Sequence, residues 1–434
     1  MLVLRTPIAF ALGLSAAVGI FLLRGYSVAA NSIVSVGYSA VAKQSLIIVP
    51  LFVLLGGFAF EAGIARDVYG LLARFTGRFR SSMAIATVLA AAGFAAVTGS
   101  SVATVAALAK NSIEEMEERG FQTRFAAGLV ACSGTLGVLI PPSVVLAVYG
   151  VVAGESIGRL LVAGILPGIL SALAYLVLIV VMVRLFPRYA LTSIEPRSSK
   201  RHEAGIKPPR NARLRTEITG SVLAAIIFGT IMGGIFTGQF TATESAAVGA
   251  FVAGVVLIAR QIRRPKQAWA SFFTAARETT STVGMLFALI VGGTLFTYFL
   301  VSARVPGAVT NAVANLDVPP YAILALFLLI MVPLGAVLDG FSIILITVPL
   351  MHPIVTGMGF DGIWFGILVV KLIEFGLVTP PVGLNAFVIS GVVPRIPVGT
   401  VFRGVLPFYV ADIIVVVLLV AFPQIVTALP AMVN

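Results

Sequence analysis

Long apolar runs recur along all 434 residues, and they constrain the fold more than any other feature of the sequence. Many of them approach the roughly 20 residues that an α-helix needs to cross a bilayer. Only 11% of the residues are charged, whereas soluble domains typically contain about 25%. The sequence therefore predicts a polytopic, all-α integral membrane protein with one membrane domain, and it excludes a soluble globular fold.

Basic residues are concentrated in two short segments that adjoin apolar runs. Residues 187–216 contain eight Lys or Arg residues and two Glu residues, and residues 260–277 contain five Lys or Arg residues and no acidic residue. Because Lys and Arg accumulate in short cytoplasmic loops, these charges indicate topology and not binding to nucleic acid. We expect both segments to be cytoplasmic, with two spanning helices over 217–259 between them.

Five short motifs occur twice, in one order and at separations of 235 to 241 residues. The clearest pair is 133–142 and 372–381, each of which ends in Pro-Pro. Duplicated halves with helices interrupted by Gly and Pro are typical of secondary transporters. We expect an N-terminal span and interfacial segment (1–45), a first half (46–187), a basic loop, helix pair and second basic loop (188–281), and a second half with a C-terminal tail (282–434).

The first candidate site combines the polar segment 98–101, inside the apolar stretch 82–109, with Pro141-Pro142. Tandem prolines interrupt a helix because they lack N–H donors. Carbonyl groups freed at membrane depth must line a cavity or bind a ligand. Such oxygens suit a cation such as sodium, and the N-termini of half-helices suit an anionic substrate. Two simpler interpretations stay open, namely close helix packing through the hydroxyl residues and a proline kink without a ligand.

The second candidate site lies at the corresponding place in the second half. The repeat offset puts Asp339 opposite Ser100, and an ionisable group within a span costs about 2.5–3.5 kcal/mol to insert, which makes it a functional candidate. Lys371 and Glu374 lie three residues apart, so we expect them to pair on one helix face and, secondarily, to contribute to an ion or substrate path. Glu244 is expected to cap the start of a helix.

Two motifs of soluble enzymes and motors are absent from the sequence. No Lys follows a Gly, so there is no phosphate-binding loop of the Gly-Lys-Ser/Thr kind, and there is no HExxH. Uphill transport by this chain would therefore need an ion gradient. A passive channel and an intramembrane enzyme remain as alternatives, although the acidic residues do not converge in sequence.

At these motifs the chain resembles the DctM-like large membrane subunit of the tripartite ATP-independent periplasmic (TRAP) transporters. The segments that carry the resemblance are TGSSVATVAAL, AAGLVACSGTLGVLIPPSVVLAVYG, AGILPG, TGQFTATESAAVGA, LGAVLDG and FGILVVKLIEFGLVTPPVGLNAFVISGV. The resemblance implies a transporter subunit without enzymatic activity, in a bacterial inner membrane, with broken helices, two re-entrant hairpins and an elevator mechanism. It also implies coupling to sodium ions with no other cofactor, a small four-helix membrane partner, and a periplasmic binding protein that delivers a small organic-acid anion.

The resemblance also implies which residues bind the ions and the substrate. One sodium site would use the side chains or backbone of Ser100, Ser101, Gly134, Val138 and Pro141. The other would use Gly335, Asp339, Gly376 and Thr379. The substrate would lie between the two sites, near Ser143 and Asn385.

Overall fold

The computed structural model describes residues 6–75, 81–192, 210–314 and 318–432. Most of the basic segment 187–216 lies outside these ranges.

Within the described ranges the chain is helical and contains no strand, apart from an isolated bridge between Phe121 and Leu191. Eleven α-helices precede residue 193: α1 (Ile8–Arg24), α2 (Tyr26–Val41), α3 (Ile48–Glu61), α4 (Ile64–Phe75), α5 (Ser82–Thr98), α6 (Ser101–Glu118), α7 (Thr123–Leu139), α8 (Val144–Ala153), α9 (Ile157–Ala163), α10 (Ile165–Leu185) and α11 (Pro187–Ala190). Ten follow from residue 210: α12 (Arg210–Phe236), α13 (Ala242–Arg260), α14 (Pro265–Ser302), α15 (Val305–Ala314), α16 (Pro320–Val337), α17 (Gly340–Gly357), α18 (Gly362–Leu377), α19 (Leu384–Val392), α20 (Val398–Ala421) and α21 (Gln424–Thr427).

Eight helical segments in the described ranges are long and apolar enough to cross a membrane, or nine if the bent pair of α7 and α8 is one span. Two of the eight, α12 and α13, occupy the stretch 217–259 where the sequence predicts two crossings. Large apolar side chains are exposed along the outer helices, as at Leu406, Val410 and Val417 of α20. Such a surface suits lipid and not water. The fold is the predicted polytopic helical bundle.

Two pairs of antiparallel helices form hairpins. In the first pair, α5 and α6, the guanidinium of Arg119 donates a hydrogen bond to Ser82 Oγ at 3.2 Å, so both outer ends lie side by side. The chain reverses at Gly99, whose φ of 60° lies in the left-handed region that favours glycine. In the second pair, α16 and α17, the rings of Tyr321 and Phe360 hold the outer ends together, with centroids 5.1 Å apart. Two hairpins are what the family resemblance implies.

Two other helices are broken at the Pro-Pro motifs. The helix α7 ends at Leu139 and α8 continues from Val144 with a bend of 46°. In the second half α18 ends at Leu377, and α19 begins at Leu384. The prolines within each gap cannot donate backbone hydrogen bonds, which explains why the helical ladder stops there.

The hairpins enter the bundle from opposite ends. The open end of the first hairpin adjoins the start of α7. Gln122 beside it donates a side-chain hydrogen bond to the carbonyl of Leu191, which lies within the basic segment 187–216. At the other end of the α7–α8 pair, Glu155 lies 3.1 Å from His352, near the open end of the second hairpin. Since α7 and α8 together connect the two ends, the two halves have inverted orientations.

Candidate ion and substrate site

The tip of the first hairpin lies against the first Pro-Pro break. Ser100 is the N-cap of α6, and its side chain accepts a hydrogen bond from the Ala103 N–H at 3.3 Å. A Cβ added to Gly137 of α7 would lie 2.7 Å from the Ser100 carbonyl oxygen, so only glycine permits this approach. Gly99 is similarly packed against the backbone of Pro142. The sequence therefore brings hairpin and break together through glycine.

The other residues assigned to the first sodium site surround this contact. Gly134 faces the Ser101 carbonyl oxygen, which would lie 3.3 Å from an added Cβ. Val138 is in the last turn of α7, and Pro141 is in the break that follows. Ser143, which was assigned to the substrate, is also at this contact. It is fully buried as the N-cap of α8, where its hydroxyl accepts a hydrogen bond from the Leu146 N–H at 3.2 Å.

The tip of the second hairpin lies against the second break in a matching way. Asp339 is the N-cap of α17 and accepts hydrogen bonds from the N–H groups of Phe341 and Ser342 at 3.0 and 3.1 Å. The Ser342 hydroxyl donates a hydrogen bond to the other carboxylate oxygen of Asp339. Ser100 and Asp339 are thus equivalent helix caps, as their spacing in the repeat suggests.

Backbone contacts join this tip to the broken helix. A Cβ added to Gly335 would lie 3.0 Å from Gly376 Cα, and Val382 donates its N–H to the Ala336 carbonyl at 3.1 Å. Within the broken helix the Thr379 hydroxyl donates to the Phe375 carbonyl at 2.7 Å. In each half this contact brings four helix ends together. Two are C-terminal ends with free carbonyl groups, and two are N-terminal ends with free N–H groups. Such ends favour cations and anions respectively.

Asn385 connects the two halves. Its side-chain amide, which is fully buried, donates to Ser101 Oγ at 2.9 Å and to the Ala131 carbonyl at 3.0 Å. Sequence reasoning assigned Ser101 to sodium and Asn385 to the substrate, without a contact between them. The structure brings these two side chains into one hydrogen-bonded unit, in which Asn385 of α19 contacts the second arm of the first hairpin.

The predicted pairing of Lys371 with Glu374 is wrong. Lys371 Nζ lies 2.6 Å from a carboxylate oxygen of Asp412 in α20, and the Tyr175 hydroxyl donates to the same oxygen at 2.8 Å. Lys371 and Asp412 are each 2% exposed. Spacing along one helix could not reveal this partner, because it comes from another helix. An acidic residue inside the apolar run 403–427 was the signal that could have found it.

Glu374 is buried within α18. Both carboxylate oxygens are buried, and neither has a hydrogen-bond partner among the described residues. Glu244, in contrast, caps a helix as predicted. It forms a capping box at the start of α13, where its carboxylate accepts from the Thr241 N–H at 2.8 Å.

The family described as "Tripartite ATP-independent periplasmic transporter, DctM component" matches residues 1–425. The chain belongs to this family. It is 34% identical to the C4-dicarboxylate TRAP transporter large permease protein DctM of Pseudomonas aeruginosa over 422 residues, 96% of this chain and 93% of the relative. It is 31% identical to the isethionate TRAP transporter permease protein DctMQ of Oleidesulfovibrio alaskensis over 394 residues, 90% of this chain and 59% of that longer relative.

The same helical architecture occurs in a solved transporter structure. The YdaH transporter of Alcanivorax borkumensis superimposes with a TM-score of 0.65 over 96% of this chain and 97% of that chain. Its identity of 15% makes this a likeness of fold alone. This DctM-family chain is therefore a multi-pass transporter permease subunit, and the alternative of an intramembrane enzyme does not hold.

Proposed function

We propose that the chain is the transport-path subunit of a sodium-coupled secondary transporter that imports a small organic-acid anion. The observation that carries this proposal is the pairing of each hairpin tip with a Pro-Pro break. A passive channel needs neither the duplicated breaks nor the inverted halves, whereas alternating access around a fixed site uses both.

Two sodium ions would travel as cargo, one in each half. The first would take oxygens from Ser100, Ser101 and the end of α7, and the second would take oxygens around Asp339 and Thr379. The converging C-terminal carbonyl groups and hydroxyl groups support this assignment, because sodium in such transporters is held by unwound backbone and half-helix C-termini.

The anion would bind between the two ion sites, near Ser143 and Asn385. The N-terminal ends of α8 and α19, which follow the two breaks, would favour its negative charge. The relatives named for C4-dicarboxylates and for isethionate support an organic acid, since both substrates carry anionic groups. In this structure Asn385 is bonded to Ser101, so the proposal requires that this amide exchange Ser101 for the substrate.

Transport would follow an elevator mechanism in a bacterial inner membrane. The hairpins and broken helices would move together against α1, α3, α12, α13 and α14. A small four-helix membrane subunit would complete the membrane complex, and a periplasmic binding protein would deliver the substrate. The description of the family as tripartite and periplasmic supports both partners.

Sodium binding can be tested before the substrate is known. A ligand that binds only the folded state raises its stability in proportion to RT ln(1 + [L]/Kd). We expect the melting temperature of the purified chain to rise with NaCl but not with KCl at equal ionic strength.

The variant Asp339→Asn tests the second ion site. The amide retains an oxygen that can cap α17, but the variant should need about 10 to 100 times more sodium to reach the same rise in melting temperature, where each factor of ten in affinity corresponds to about 1.4 kcal/mol. The matched control is Asp361→Asn, since Asp361 caps α18 in the same way, away from the tip. Equal responses to both salts, or equal sodium curves for both variants, contradict the ion sites.

Uptake measurements then test the coupling. Proteoliposomes that contain the chain, its small membrane partner and its binding protein should accumulate a labelled C4-dicarboxylate or isethionate only with an inward sodium gradient. Equilibration without a gradient would indicate a channel.

A further inference from the structure

The start of α14 carries two cationic and two aromatic side chains on one face. Lys266, Trp269, Phe273 and Arg277 follow at spacings of three, four and four residues, which places them along one stripe of a helix. All four side chains are exposed, and the two aromatic residues are 58% and 64% accessible. We refer to these four residues as the basic–aromatic stripe.

The orientation of the stripe is set by packing on the opposite face of α14. Ala275 is buried against Gly57 of α3, and Phe272 stacks on Phe58 with ring centroids 5.2 Å apart. Because this inner face is tied to α3, the basic–aromatic stripe must point away from the bundle.

The turn before α14 adds two more cations, Arg263 and Arg264. Both are exposed, and neither they nor Lys266 lies within 4 Å of a carboxylate among the residues that the structure describes. Arg260 differs, because it pairs with Asp67 at 2.6 Å. Arg277 is followed by Glu278, which offsets its charge. The uncompensated positive charge therefore lies at residues 263–266, at one end of the basic–aromatic stripe.

The exposed rings place this surface at a membrane boundary. Trp and Phe exposed to this degree are unfavourable in water, and Trp is enriched where acyl chains meet headgroups. The helix α14 has 38 residues, or about 57 Å at 1.5 Å per residue, whereas the hydrocarbon layer measures about 30 Å. Its first turns can therefore lie among the headgroups, and the positive-inside rule puts them in the cytoplasmic leaflet.

We propose that residues 263–266 and the basic–aromatic stripe form a binding site for anionic phospholipids of the cytoplasmic leaflet. The phosphate of a lipid such as phosphatidylglycerol would contact Arg263, Arg264 and Lys266, and its acyl chains would contact Trp269 and Phe273. Charge complementarity selects an anionic headgroup over a zwitterionic one. This site is separate from the transport path, so it does not depend on the proposed substrate or coupling ion.

Fluorescence quenching by brominated lipids tests the proposal directly. The chain contains two tryptophans, and Trp364 is only 1% exposed. The signal of wild type minus that of Trp269→Phe therefore reports lipid at Trp269. At about 20 mol% of brominated lipid, dibrominated phosphatidylglycerol should quench Trp269 with at least about threefold higher affinity than dibrominated phosphatidylcholine.

The charge dependence separates a specific site from general lipid contact. The triple variant Arg263→Gln/Arg264→Gln/Lys266→Gln should reduce the preference to about one, as should high salt, which screens exposed charges. Arg159→Gln is a control for loss of an exposed cation elsewhere. Equal quenching by both lipids overturns the proposal. So does a preference that survives in the triple variant, or loss of lipid quenching when the small membrane subunit is added, which would make that subunit the occupant.

Discussion

Among individual residues, Lys371 and Asp412 place a full ion pair where almost no water reaches. Each charge alone would cost about 2.5–3.5 kcal/mol within a span. Their contact at 2.6 Å and the hydrogen bond from Tyr175 offset this penalty. Removal of one member of a buried pair leaves the other uncompensated and typically costs about 3–5 kcal/mol, whereas replacement of both by apolar residues is often neutral.

We therefore expect Asp412→Leu and Lys371→Met each to lower the free energy of unfolding by about 3–5 kcal/mol. The double variant Lys371→Met/Asp412→Leu should recover most of that loss. The measurement is a double-mutant cycle by denaturant unfolding in detergent, with Arg159→Gln as a surface control. If the two single losses simply add in the double variant, the pair does not act as a unit.

Among the helices, local chemistry predicted the breaks but not their partners. Pro141-Pro142 and Pro380-Pro381 cannot continue a helix, so the sequence alone predicts both broken helices. The two hairpins are implied only by the family resemblance. It could not show that Asn385 bonds to Ser101, because that contact joins residues of opposite halves. The same limitation explains the error at Lys371. Packing between distant helices decided both contacts, and repeat spacing carries no information about it.

The approach of the first hairpin to α7 depends on Gly137. An added Cβ would lie 2.7 Å from the Ser100 carbonyl oxygen and 2.9 Å from Thr104 Oγ1, and the carbonyl cannot move without the tip. We expect Gly137→Ala to lower stability by about 1–3 kcal/mol through overpacking, and to slow uptake. Gly391→Ala is the matched control, since nothing lies within 4 Å of its added Cβ, and it should gain up to about 1 kcal/mol. Thermal unfolding of both variants checks this, and equal melting temperatures would argue against a tight tip.

Across the whole molecule, each of the two inverted halves contacts the hairpin of the other half. The helix α8 packs on α17 of the second hairpin, and α19 packs on α6 of the first. A side-chain contact closes each pairing. Glu155 lies 3.1 Å from His352 Nε2 at one end, and Arg395 forms an ion pair with Glu117 at the other. Positions 155 and 395 are 240 residues apart, within the range of the repeated motifs. Each hairpin is thus held by the helix that follows the break of the other half, which favours movement of these elements as one body.

This arrangement predicts that the open ends of the two hairpins face opposite sides of the membrane. The first open end adjoins Leu191, within the basic segment 187–216, so it should be cytoplasmic. The second should then be periplasmic. Cys132, the single cysteine, is buried, and Cys132→Ala provides an unreactive background. In intact cells an impermeant maleimide should label Val318→Cys, at an exposed position before α16. Glu118→Cys, at the exposed end of α6, should react only after the membrane is permeabilised. Labelling of both variants in intact cells would contradict the inverted orientation, because no rotation of the bundle could bring both open ends to one side. Labelling of Glu118→Cys alone would contradict the cytoplasmic assignment of the first open end.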